Sequence, residues 1–244
     1  MQERIKITFS YDGSHFFGSQ IQKNSRVKTV MGTFQKALNC LGIDGTTIAS
    51  GRTDRGVHAL NQVCHLDIPE YLFNLDRLKY ILNRHLLPYI FVKKIEFVKS
   101  DFHARFSAKK RLYRYIISHS VYNPIQANYV VFMPKLNIEI LNNSLEELKG
   151  EHNFKYFKKE GSKTHSDIRT IYKAFSFRYK QYTIIDFLGD SFLRSQIRLM
   201  CSFLFEIARD KLGIEDLRKQ LTLEKKIYLP PAPAQSLYLS RIYY

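Results

Sequence analysis

The apolar residues of this chain switch repeatedly between a period of two and a helical period, and that switching constrains the fold more than any other feature. Ile5, Ile7 and Phe9 alternate with Arg4, Lys6 and Thr8, which predicts a half-buried strand ending at the turn Tyr11-Asp12-Gly13. Met31, Phe34, Ala37, Leu38 and Leu41 then recur at helical spacing, and Gly42 supplies a C-terminal cap. From Gln62 to Ile68 the alternation returns, with Cys64, Leu66 and Ile68 on one side and Val63, His65 and Asp67 on the other. That pattern predicts a strand with one face inward. Leu75, Leu78, Ile81, Leu82 and Leu86 mark a second helix, which Pro88 stops before a strand from Tyr89 to Phe97. The N-terminal part reads as βαβαβ or close to it.

The second part repeats the logic. Lys109 to Ile117 forms a strand in which basic residues and tyrosines interleave, and a short strand near Val130 to Phe132 follows. A helix carries Ile138, Leu141, Leu145 and Leu148 and is ended by Gly150, while Ile171 to Tyr179 and Tyr182 to Leu188 form a hairpin through Lys180-Gln181. A helix from Phe192 to Leu212 places Leu193, Ile197, Met200, Leu204 and Ile207 on one face, with Arg194 and Arg198 together on its flank. A shorter helix with Ile214, Leu217 and Leu221, an extended linker Leu229-Pro230-Pro231-Ala232-Pro233 and a strand from Leu237 to Tyr243 complete the chain. Two similar sets of strands and helices predict an α+β fold of two subdomains, 1–105 and 106–244.

Charge points to the partner. The 244 residues hold 38 Lys and Arg against 22 Asp and Glu, a net charge of +16. Such a surplus suits a polyanion, because each phosphate neutralised releases condensed counterions. Nucleic acid is the expected partner. No run of about 18 apolar residues and no N-terminal leader pattern is present, so the expectation is a cytoplasmic protein without a membrane partner. Cys40, Cys64 and Cys201 lack zinc spacing and read as reduced, small hydrophobic residues.

Several chemistries lack their motifs. The sequence has no GxGxxG after a strand, no GxxxxGK[ST], no HExxH and no GxSxG. Only Asp44 and Asp67 stand near Asp54 in sequence, a thin supply for a two-metal site. Chemistry without a metal or cofactor is expected.

Gly51-Arg52-Thr53-Asp54-Arg55-Gly56-Val57-His58 is the run that reads as a site. Cations beside Asp54 favour its carboxylate form, which suits a nucleophile or general base. Gly51 and Gly56 allow a tight turn and a close ligand. A turn aspartate paired to a neighbouring Arg for stability accounts for the same residues. Tyr113 and Tyr115 share one strand face, with Arg111 before them and Arg114 looking the other way, which suits base stacking, although the same pattern is more often core packing. Arg194 and Arg198 read either as a solvated helix flank or, more sharply, as a buried Arg reaching a carboxylate.

The run from Gly51 to Ala59, followed by Asn61-Gln62-Val63, resembles the signature of the TruA-type tRNA pseudouridine synthases. Further landmarks occur in order: Tyr11-Asp12-Gly13, Leu82-Asn83 with Leu87-Pro88, Phe102 to Ala108 running into Tyr113-Arg114-Tyr115, Phe192-Leu193 with Ile197-Arg198, and Ala232-Pro233-Ala234 with Leu237-Tyr238-Leu239. The resemblance implies a cofactor-free isomerase acting on uridines of the tRNA anticodon stem-loop. In that reading Asp54 is the nucleophile, Arg52 helps displace the target uridine, Tyr113 stacks on the flipped uracil and Arg198 pairs with Asp54. Arg55, His58, Arg105 and Arg114 join Arg52 and Tyr113 in binding the substrate. A homodimer is implied, built from ferredoxin-like or RRM-like subdomains with a mostly antiparallel sheet, flanking helices and a central basic cleft. A non-catalytic basic RNA-binding module on the same scaffold is the alternative. The chain departs from the family pattern at Ser19, which follows Gly18 where a Trp is usual, at Arg194-Ser195-Gln196, and at Leu199.

Overall fold

Ile5, Ile7 and Phe9 are fully buried, as their alternation requires, in the first strand of a computed structural model that describes residues 2–22, 26–162 and 164–244. In chain order the elements are β1 Gln2–Tyr11, α1 Val30–Asn39, β2 Ile48–Ala49, β3 His58–Pro69, α2 Leu75–Leu86, β4 Ile90–Phe97, β5 Lys110–Ser118, β6 Val131–Phe132, α3 Ile138–Glu146, β7 Gly150–Asn153, β8 Ile168–Tyr179, β9 Tyr182–Gly189, α4 Gln196–Ile207, α5 Ile214–Leu221 and β10 Leu237–Tyr243. They divide into two units, Met1–Lys109 with Tyr238–Tyr244, and Lys110–Leu237. The fold is α+β with mostly antiparallel strand pairing.

In the first unit, β1 lies between β4 and β3, antiparallel to both, and β3 carries β2 antiparallel and β10 parallel on its other side. The apolar stripe of α1 meets the sheet where Phe34 packs 5.0 Å from Phe9, ring centre to ring centre. Thr29 caps α1 by accepting from the Gly32 N–H, and Asn74 caps α2 by accepting from Arg77. Asn83 ties α2 to β4 as a strand would: its amide accepts from the Val92 N–H at 2.7 Å and donates to the Val92 carbonyl at 3.0 Å.

The expectation for β3 needs correction, because both of its faces are covered. Val63 and His65 are 4% and 3% exposed, against the outward position that alternation gave them. The segment after β4 covers that face: His65 lies 4.8 Å from the His103 ring, and its Nδ1 accepts from the Ala104 N–H at 3.1 Å. Cys64 is buried as expected and desolvation pushes its thiol up, whereas Cys40 is exposed.

The second unit has strand order β5-β9-β8-β7, all antiparallel, with β6 parallel to β5. The β8–β9 hairpin closes at the Tyr179 and Tyr182 pair as the sequence predicts, with Lys180 at φ 53 in its two-residue turn. Asn142 of α3 repeats the device of Asn83, accepting from the Ser176 N–H at 2.7 Å and donating to the Ser176 carbonyl at 3.2 Å.

Three elements differ from the sequence reading. The third helix ends at Glu146, and Gly150 opens β7, an edge strand, at φ 98. The long helix begins at Gln196, because Ser195 takes the left-handed region at φ 58 and the Gln196 side chain accepts from the Leu193 N–H at 2.7 Å. Arg194 therefore lies outside α4 and does not share a helix flank with Arg198. The proline-rich stretch is fastened: Ala232 is 3% exposed and the Tyr115 hydroxyl donates to the Pro233 carbonyl at 3.0 Å. Among the described residues no helix is long and apolar enough to cross a membrane.

Candidate active site

The Asp54 loop is built by backbone contacts that glycine alone permits. The Val57 N–H donates to the Asp54 carbonyl at 3.2 Å, closing a turn with Gly56 at φ 80. Gly13, in the turn after β1, lies so close that a Cβ there would come 2.0 Å from the Val57 carbonyl oxygen. Gly51 has no such constraint, since a Cβ would meet nothing within 4 Å. Open space above Gly51 is compatible with ligand approach.

Side chains then fix Thr53, the residue before Asp54. Its N–H donates to Ser19 Oγ at 2.8 Å, and the Ser19 N–H donates to the Thr53 carbonyl at 3.2 Å. Its hydroxyl shares a 2.8 Å hydrogen bond with the Tyr11 hydroxyl. Below the loop, fully buried Gln62 accepts from Ser50 Oγ at 2.9 Å and donates to the Gly51 carbonyl at 3.1 Å. The consequence is a rigid frame around a half-buried Asp54, flanked by exposed Arg52 and Arg55. The Arg55 guanidinium lies 4.0 Å from the centre of the Phe17 ring, itself 45% exposed.

His58 is held inward rather than toward solvent. It is 2% exposed, its Nδ1 accepts from the Gly13 N–H at 3.0 Å, and its ring stacks on Tyr238 at 4.8 Å. That places it as a wall of the loop. Arg105 stands on a second small loop. There His103 Nδ1 accepts from the N–H groups of both Arg105 and Phe106, at 3.2 and 3.1 Å, which leaves Phe106 77% exposed beside an exposed Arg105.

In the second unit Tyr113 and Tyr115 share one face of β5 but differ in surroundings. Tyr115 is fully buried, and desolvation pushes its hydroxyl well above the usual tyrosine range. It is a core residue. Tyr113 is 8% exposed and meets Phe192 edge-on at 5.4 Å. Arg114 grips Asp186 with two parallel bonds of 2.8 and 2.7 Å. That hydrogen bonding raises the Arg114 pKa further. Half-buried Arg198 donates from Nε to the Ala232 carbonyl at 2.7 Å, and the Ala232 N–H returns a bond to the Arg198 carbonyl at 3.0 Å. This joins the helix and the proline-rich segment, two stretches far apart in sequence.

Ser19, Tyr11 and Gln62 carry the frame without having stood out as site residues. Gln62 had a signal, since it shares the inward parity of Cys64 and Leu66. Ser19 had none beyond its departure from the family pattern, because its meaning depends on a contact with a residue 34 positions away. Among the described residues no three or more His, Cys, Asp or Glu side chains gather as a metal site would require.

Known proteins resemble this chain along nearly its full length. A family model described as tRNA pseudouridine synthase matches residues 7–107 and 145–244. A tRNA pseudouridine synthase A of Campylobacter jejuni strain RM1221 is 40% identical over 241 residues, covering 99% of this chain and 100% of its own. The protein of that name from Helicobacter pylori strain 26695 is 37% identical, covering 98% and 99%, and that from Limosilactobacillus reuteri is 40% identical, covering 99% and 96%. The matched residues include the whole Asp54 loop, Arg198 and the Ala232 segment, and the chain belongs to the tRNA pseudouridine synthase family.

Proposed function

We propose that this pseudouridine synthase isomerises uridines in the anticodon stem-loop of tRNA, with Asp54 as the nucleophile. The rigid frame around half-buried Asp54, beside exposed Arg52, is the observation that carries this reading. In the reaction the C1′–N1 bond of uridine breaks, the uracil turns in place, and a C1′–C5 bond forms. C5 loses its proton and N1 gains one, so nothing is added and no redox partner is consumed. Such a step needs an ionised carboxylate held without freedom to relax, which favours attack over reorganisation.

The base must first leave its stack, at a cost of about a few kcal/mol. Stacking on Tyr113, worth on the order of 1–3 kcal/mol, and Arg52 in the vacated place offset that cost. Arg198 is the cation serving Asp54, and its bond to Ala232 holds the side chain in one orientation. Arg55 and Arg105 contact the RNA backbone, while His58 and Arg114 act by positioning the Asp54 loop and the Tyr113 strand. The enzyme works in the cytoplasm as a homodimer without a cofactor. Mapping pseudouridine in total tRNA from cells with and without the protein tests the assignment. Loss of pseudouridine confined to the anticodon arm supports it, and an unchanged map rejects it.

A further inference from the structure

A groove of about 330 Å³ opens in the second unit, beside the Arg198 segment and apart from the residues given roles above. Its lining includes Leu199 and Pro231, the neighbours in sequence of Arg198 and Ala232. Its walls carry Tyr156, Lys158, Lys159, Ser195, Lys226 and Tyr228. The Lys226 ammonium lies 4.0 Å from the centre of the Tyr228 ring and 5.9 Å from that of Tyr156. Tyr228 is 73% exposed, so its ring face is open to a ligand. Ser195, in the lining, holds a left-handed backbone that a residue with a Cβ rarely adopts.

The chemistry of the lining selects the occupant. Three lysines face one acid, Glu160, which is bonded to Lys226 at 2.7 Å, while Lys158 is bonded to Asp167 at 2.6 Å. Lys159 is exposed. A flat ring beside cations fits a π-face joined to a phosphate, and every nucleotide offers both. An acidic peptide offers the charge without the flat face.

We propose that this groove binds an unpaired nucleotide of the tRNA, its base against Tyr228 and its phosphate on Lys159 and Lys226. The site rests on the reading of this chain as a tRNA pseudouridine synthase. It is sequence-tolerant, because stacking and phosphate contacts read no base edge. Phosphate takes the place of Glu160 at Lys226 without a large movement, since the Glu160 side chain is 74% exposed.

Steady-state kinetics on intact tRNA with Tyr228→Ala, Tyr228→Phe and Lys226→Gln test the proposal, and exposure at Tyr228 keeps folding out of question. Tyr228→Ala is expected to raise KM about 5- to 150-fold with kcat retained, the range that base stacking supplies. Tyr228→Phe, which keeps the ring, restores the wild-type KM. Lys226→Gln lowers the slope of log affinity against log salt by about one. Wild-type protein that makes pseudouridine, with KM and salt slope unmoved in all three variants, overturns the groove and leaves the enzyme assignment standing. Wild-type protein that makes none on any tRNA overturns the enzyme assignment, and the groove with it.

Discussion

Ser19 and Thr53 are joined twice, by a 2.8 Å bond from the Thr53 N–H to Ser19 Oγ and a 3.2 Å bond from the Ser19 N–H to the Thr53 carbonyl. Ser19 is 1% exposed, so its hydroxyl has no solvent to replace it. Ser19→Ala leaves the Thr53 N–H unsatisfied at a cost of about 1–3 kcal/mol. The expected result is lower stability in urea and a kcat reduced by about tenfold, with tRNA affinity retained. Affinity lost together with turnover would instead mark Ser19 as an RNA contact.

Gly13 cannot carry a side chain while the Asp54 loop stays in place, because a Cβ would lie 2.0 Å from the Val57 carbonyl oxygen. Gly13→Ala is expected to cost about 2 kcal/mol through overpacking. In a chain of this size that lowers Tm by about 4–8 °C, and differential scanning calorimetry reads it directly.

His65 makes the first unit sensitive to mild acid. Burial holds its pKa below the ordinary 6.5, with the His103 and Arg4 charges acting the same way and Asp67 and the Ile48 backbone opposing. Its Nδ1 also accepts the Ala104 N–H, a bond that protonation there removes. The stability contributed by neutral His65 is fully present above pH 6.5 and is lost as pH falls through the lowered value. Thermal unfolding followed from about pH 8 to about pH 5 should show Tm falling in the wild type. The decline should be shallower in His65→Gln, whose amide oxygen still accepts.

Arg114 and Asp186 form a two-pronged pair in which Asp186 is 5% and Arg114 32% exposed at the side chain. Lysine cannot reproduce that fork. Arg114→Lys is expected to lose about 1–2 kcal/mol of stability, a figure kept small because Arg114 is partly solvated. Filter binding should show tRNA affinity changed less than twofold or so, as a positioning residue requires.

The sequence makes legible those elements whose burial is one-sided. Ile5, Ile7 and Phe9 alternate because α1 covers only one face of β1, and the stripe of α2 is equally plain. Val63 and His65 mislead because the segment around His103 returns to cover the second face of β3, a contact no local period encodes. Gly150 to Asn153 form an edge strand with no apolar alternation to announce it. Phe192 and Leu193 fit a helical period, yet the backbone turns left-handed at Ser195 before α4 begins. In the site, Asp54 and Arg52 stand out by their composition between two glycines. Tyr11, Ser19 and Gln62 are ordinary polar residues until the fold brings them to Thr53 and Gly51.

Release of tritium from tRNA labelled at uracil C5, compared between wild type and Asp54→Asn, tests most directly whether the Asp54 carboxylate performs the reaction. Asparagine keeps the shape of the side chain and removes its charge and nucleophilicity. The expected outcome is a loss of turnover of at least about a thousandfold, with tRNA binding preserved within a few-fold. Turnover within about tenfold of wild type would contradict the assignment of Asp54 as the nucleophile.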